Sequence, residues 1–175
     1  MPVGHAMQGG YTVAPLSPET SDAAFLLVGA LAPGLGIARW RRYCDGPDAG
    51  AGASEPRLEV RVAINPRGHV QGLCLWSQAR HAVHGRILDV PIFIVASAAD
   101  ESGVAAALVE DLCTIAGRLD CAALRIRSEA SPRLLAQFQV PKRRDGRSIA
   151  LILDPHPLLD APWGPSQDDS LPVKT

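Results

Sequence analysis

This sequence has almost no excess of either charge. Its 175 residues carry 17 lysines and arginines against 18 aspartates and glutamates, a formal net charge of -1. That balance supplies neither the basic field that gathers nucleic-acid phosphates nor one that steers a protein to an anionic membrane. Paired cysteines are missing as well. Cys44, Cys74, Cys113 and Cys121 form no CxxC unit and no zinc-type spacing, which argues against a structural metal. Cys74 in "GLCLW" and Cys113 in "EDLCTIA" sit in apolar runs, where a free thiol behaves as a small hydrophobe. A reducing, cytoplasmic compartment is the expectation. Long apolar runs are absent too. "AAFLLVGAL" (23–31) falls far short of the roughly 20 residues that span a bilayer. The start, "MPVGHAMQGGY", lacks the basic and apolar regions of a signal peptide.

What is present fits one globular domain, with 47% hydrophobic and 20% charged residues. Proline and glycine cluster near both ends. The sequence therefore divides into a flexible N-terminus (1–10), a domain (11–154) and a Pro-rich tail (155–175), the last either disordered or laid across a surface as an extended arm.

Along the domain, "YTVAPL" (11–16) reads as a short strand. Ser17, Pro18 and Glu19 then open a helix in the favoured capping order. "APGLG" ends it, and "IARWRRYC" (37–44) adds a helical turn or two. In "RLEVRVAI", Leu58, Val60, Val62 and Ile64 alternate with Arg57, Glu59, Arg61 and Ala63, the period of a strand. "VQGLCLWSQA" returns as its antiparallel partner. "RILDVPIFIVAS" follows as a central strand covered on both faces, in which Pro91 predicts a bulge or an unpaired edge. From Val104 the period turns helical through Leu108, Leu112, Ile115 and Leu119. "CAALRIRS" (121–128) is a strand and "SPRLLAQF" a short helix. "FQVPKRRDGRSIALILD" reads as a hairpin turning at Asp145-Gly146. The class is α/β: a mixed, mostly antiparallel sheet flanked by helices.

This order of elements, over about residues 11 to 153, resembles the GNAT superfamily of acyl-CoA-dependent N-acetyltransferases. The resemblance implies a fourth main strand with a bulge, here "ILDVPIFIV", parting from the fifth to admit a pantetheine arm. It also implies a loop Gln/Arg-x-x-Gly-x-Gly/Ala at a helix start, whose amides bind the coenzyme diphosphate. "DESGVA" (100–105) supplies Gly103 and Ala105 at the matching positions, but Asp100 stands in place of Gln or Arg, followed by Glu101. The family's Asn position falls on Ala130, and its proton-donating Tyr on Gln137 or Phe138.

The resemblance assigns the coenzyme to Ile94, Val95, Gly103, Val104 and Ala105, and makes Asp89 a candidate base that deprotonates the amine. Its place at the strand start equally suits a solvated carboxylate or a pair with Arg86. Trp40, Tyr43 and Trp76 are candidate walls of an acceptor pocket, although Trp76, in a strand, also suits the core. The implied activity is transfer of an acetyl or other acyl group from acetyl-CoA or another acyl-CoA to a small-molecule or protein amine by direct attack. The second reading is a GNAT-like domain without catalysis, serving as a scaffold subunit that meets a protein partner through its tail. His81 and His84, three apart in a turn, lack a third ligand for a metal. Neither reading calls for a metal, nucleic acid or a membrane.

Overall fold

The computed structural model describes residues 7–8, 10–32, 34–45, 58–127 and 149–154. The expected helix at 131–138, the first arm and turn of the 138–154 hairpin, and the tail from 155 lie outside the described residues. The elements are β1 (Met7–Gln8), β2 (Tyr11–Pro15), α1 (Pro18–Leu31), α2 (Ile37–Asp45), β3 (Glu59–Ile64), β4 (Val70–His81), β5 (Gly85–Val95), α3 (Glu101–Arg118), β6 (Ala123–Arg127) and β7 (Ala150–Asp154).

Among the described residues the strands form one seven-stranded sheet in chain order. Neighbours from β1 to β5 are antiparallel, whereas β5, β6 and β7 run parallel to one another. The mixed, mostly antiparallel sheet expected from the sequence is thus present. Its parallel part begins where α3 carries the chain from β5 to β6, the kind of crossover that parallel strands require.

Two apolar layers cover the sheet. On one face Ala63, Cys74, Leu88, Val90, Phe93, Leu124 and Ile126 pack under α3 through Val104, Leu108, Leu112 and Ile115. On the other, Val62, Leu73, Leu75, Ile92 and Ile94 pack under α1 and α2 through Ala24, Val28 and Trp40. From Val104 to Ile115 the helical stripe read from the sequence is therefore the buried face of α3, and Leu119 is its half-buried C-cap. The alternation in "RLEVRVAI" has a different outcome. Both faces of β3 are covered, and Arg61 is buried rather than solvated. Its guanidinium makes a two-pronged ion pair with Asp111 of α3, Nε to Oδ2 and Nη2 to Oδ1, both at 2.7 Å. A charge can lie inside only when its partner comes with it.

Gly72 explains how closely α3 sits on the sheet. A Cβ there would stand 2.7 Å from Val104 Cγ1, 2.8 Å from the Ile94 carbonyl oxygen and 3.2 Å from Leu108 Cδ1. The missing side chain lets the first half of α3 rest on the backbone of β4 and fixes where the helix begins. At its far end α3 stops at Leu119, whose carbonyl accepts from Arg86 Nη1 at 3.1 Å. Asp120 follows with a left-handed φ of 56°.

Candidate active site

Pro91 shapes the centre of the sheet. The β4–β5 register runs Leu75 to Ile92 and then Ser77 to Asp89, so Trp76 alone opposes Val90 and Pro91. The extra residue is a bulge on β5, as the missing proline N–H requires. It also reverses the side-chain alternation. Leu88 and Val90 face α3 before it, whereas after it Phe93 takes that face and Ile92 and Ile94 turn to α1.

The parallel pairing of β5 with β6 covers Ile87 to Val90 against Ala123 to Ile126 and ends there. Beyond Val90 only β4 pairs with β5, through Ile92, Phe93, Ile94 and Val95. The strands therefore fork. Among the described residues no strand continues the ladder with β6 past Val90, while β5 runs on to Val95. A strand that outruns its neighbour accepts an extended, amide-bearing ligand by strand addition. The sequence placed Ile94 and Val95 on this strand, and both lie on the forked stretch.

At the base of the fork Asp89 is 9% exposed and held by two arginines of β6. Arg125 Nε donates to its Oδ1 at 2.7 Å, and Arg127 Nη2 to its Oδ2 at 3.0 Å. Arg125 is its register neighbour; Arg127 lies one residue past the last paired position. The pairing with Arg86 envisaged from the sequence is absent, since that side chain goes to Leu119. With both oxygens engaged, Asp89 clasps the two strands together. The sequence carried a signal for this, since arginines two apart on a strand share one face.

The helix start differs from the loop expected at 100–105. Only Asp100 lies outside the helix, as its N-cap; Glu101 is already its first residue. Four amides at a helix start lack intrahelical partners, here those of Asp100, Glu101, Ser102 and Gly103. Asp100 N–H donates to Ser97 Oγ at 3.1 Å, and Gly103 N–H to Asp100 Oδ1 at 2.9 Å. Val104 N–H is taken by the Asp100 carbonyl at 3.3 Å, the first bond of the helix. Of the three residues assigned to the diphosphate, Gly103 is capped by Asp100, and Val104 and Ala105 are buried inside the helix. Among the described residues the amides of Glu101 and Ser102 have no hydrogen-bond partner. Ser97, which fixes the cap from below, is buried, and sequence reasoning passed over it.

Pantetheine and diphosphate therefore fare differently here. The forked edge of β5 suits an amide-bearing arm. The start of α3 does not suit a diphosphate, because a carboxylate of this chain already occupies it.

The three aromatic residues assigned to an acceptor pocket are not together. Trp40 is fully buried beneath α1, and its indole N–H donates to the Ser21 carbonyl at 2.9 Å. It lies on the α1 side, whereas Trp76 lies in the layer under α3. The sheet separates them. Tyr43, with its ring centroid 6.2 Å from that of Trp40, borders a recess of about 320 Å³ with Pro15, Leu16, Cys44, Leu58, Glu59 and Val60. In "IARWRRYC" the arginines mark the outer face of α2 and so indicate that Trp40 turns inward. His81 caps its own turn, its Nδ1 accepting from the amides of Val83 and His84.

No family model matches the sequence, and no curated protein matches it. Among solved structures, the chain is similar to a ribosomal-protein-alanine N-acetyltransferase from Brucella melitensis. The TM-score is 0.56 at 16% identity, covering 75% of this chain and 92% of the other. It is also similar to an acetyltransferase from Trypanosoma brucei, with TM-score 0.54, 19% identity, and 77% and 96% of the two chains covered. An aminoglycoside antibiotic 6'-N-acetyltransferase from Acinetobacter baumannii matches with TM-score 0.54 at 14% identity, covering 76% and 94%. A GNAT family acetyltransferase from Staphylococcus aureus is a further match of this kind. The chain therefore has the GNAT acetyltransferase fold, as its element order led us to expect.

Proposed function

We propose that this chain is an N-acyltransferase that moves an acetyl or other acyl group from a coenzyme A thioester to an amine by direct attack in a ternary complex. The observation that carries the reading is the fork: among the described residues the ladder between the bulged β5 and β6 ends at Val90, and β5 runs on to Val95. Bound there, the thioester would supply an activated acyl carbon with a thiolate leaving group. The chain's own part is to hold the arm against Ile92 to Val95 and to keep the fork at a set width through Asp89, Arg125 and Arg127. With both Asp89 oxygens occupied, water takes the amine proton.

The acceptor class carries over from the neighbours' names, one a small-molecule amine and the other a protein alanine. The proposed compartment is the cytoplasm, a reducing setting suited to the buried, unbridged thiols of Cys74 and Cys113. No helix among the described residues is long and apolar enough to cross a membrane.

A second reading, a non-catalytic scaffold that meets a partner through residues 155–175, is favoured by one feature. The Asp100 carboxylate sits on the Gly103 amide, where a diphosphate would bind. Thermal unfolding separates the two. Millimolar acetyl-CoA at about a hundred times its dissociation constant adds roughly 2.7 kcal/mol, which raises Tm by about 5 to 11 °C at this size. Thiol release with a panel of amines then identifies the acceptor. No shift and no thiol release would overturn the enzyme reading and leave the scaffold.

A further inference from the structure

We propose that the closed end of the β4–β5 hairpin is a docking surface for an acidic segment of a protein partner, one with carboxylates on either side of an aliphatic residue. The surface lies at the end of β5 away from Val95 and needs no coenzyme, so it stands apart from the acyltransferase reading.

The turn is built to hold one apolar side chain outward. β4 and β5 close between His81 and Gly85, with Ala82, Val83 and His84 as the loop. Gly85 takes the left-handed φ of 70° that ends a loop of this length. His81 Nδ1 accepts from the amides of Val83 and His84 at 3.2 and 3.3 Å, and the two imidazole rings lie 5.0 Å apart. These contacts fix the loop, yet Val83 is 81% exposed. A side chain held in place before binding loses little freedom when a partner covers it.

Arginines stand beside this knob. Arg80 and Arg86 are directly opposite each other across the two strands, and both are exposed. Arg86 reaches the Leu119 carbonyl at the end of α3, and exposed Arg118 lies one residue before it. Among the described residues no carboxylate pairs with Arg80, Arg86 or Arg118. Like charges directly opposite on a sheet destabilise it, and a carboxylate laid between the two guanidinium groups removes that repulsion. The planar fork of arginine suits such a carboxylate. The negative end of the α3 dipole accounts for Arg86 and Arg118, but for neither Arg80 nor Val83. A formal net charge of -1 gives the whole chain no long-range pull on nucleic acid or an anionic bilayer. The attraction is local, on the scale of a short peptide with an apolar contact at its centre.

The test is fluorescence anisotropy of the whole chain with short labelled peptides that carry glutamate pairs on either side of a central leucine or valine. The natural protein should bind them, severalfold more weakly as NaCl rises from about 50 to 200 mM, and should ignore the same peptides with lysine for glutamate. Arg80→Gln should lose about fivefold in affinity and Arg80→Glu about 25-fold, one and two charge contacts at roughly 4 Å in water. Val83→Ser should lose about tenfold. Arg80→Gln should not lower Tm, since it removes a repulsion. Arg42→Gln, an exposed change on α2 across the sheet, should stay within about twofold of the natural protein. No peptide binding tighter than about 1 mM would overturn the proposal. So would equal losses in Arg42→Gln and Arg80→Gln, which would reduce the effect to net charge. Tighter binding of a single-stranded oligonucleotide or of phosphatidylserine vesicles, abolished by Arg80→Glu, would overturn it in favour of a phosphate-bearing partner.

Discussion

Replacing Asp111 by alanine leaves the Arg61 guanidinium between β3 and α3 with no counter-charge. The two side chains are 6% and 9% exposed and joined by two bonds of 2.7 Å. Water can reach neither well enough to take the partner's place. Breaking one side of such a pair costs about 3 to 5 kcal/mol, most of it from the stranded charge. In a chain of this length that lowers Tm by about 6 to 20 °C. Removing both charges together is a different perturbation. Arg61→Met with Asp111→Leu fills similar volume and leaves nothing stranded, so its cost should be near zero, within about 1 kcal/mol. Urea unfolding of the four proteins in the cycle reads both effects, provided the slope m is unchanged. An Asp111→Ala cost below about 1 kcal/mol would put the pair in the range of exposed ion pairs and refute its burial. The pair matters to function because it fixes α3, whose start lies at the end of the forked strand.

Other perturbations follow from the same geometry. Gly72→Ala drives a methyl group into Val104 and the Ile94 carbonyl. It should cost about 1 to 3 kcal/mol and weaken binding of a pantetheine thioester, as chemical denaturation and titration of one sample would show. Burial, and then Glu110, pushes the Cys113 thiol up to about 12 from 9.0. Its contribution is complete below about pH 8.5 and is lost as pH rises from about 9 to 12, at about 1.4 kcal/mol per pH unit, because only the unfolded chain releases the proton. Cys74, raised by burial first and Asp111 second, acts in the same direction. Cys113→Ala should therefore lose about 2 kcal/mol less than the natural protein between pH 8 and pH 10.5 in urea midpoints; equal losses would refute the assignment. Asp89→Asn should cost about 1.5 to 3 kcal/mol of stability, and a double-mutant cycle with Arg127→Gln should show coupling. A free general base would show none.

The fold was legible in the sequence where one signal dominated. Ser17 and Pro18 marked the start of α1, the Val104 to Ile115 stripe marked the buried face of α3, and Pro91 marked the bulge. Sites that depend on several elements at once were not legible. Arg61 alternates with apolar residues as a solvated strand residue would, and only the docking of Asp111 makes its burial affordable. Asp89 looked available because its partners are 36 and 38 residues away in sequence. Trp40 and Trp76 both read as aromatic lining. Which side of a sheet each faces, however, depends on where α2 docks and on the register of β4. The fate of "DESGVA" turned on one bond, from Gly103 to the Asp100 carboxylate, that makes a loop motif the first turn of a helix.

The most direct measurement is an amide-resolved NMR titration of the whole chain with millimolar acetyl-CoA. The account predicts that the amides of Ile92 to Val95, on the stretch of β5 past its ladder with β6, and of Ile126 and Arg127, across the fork, shift first and furthest. No shifts, or shifts confined to surfaces away from β5 and β6, would contradict it.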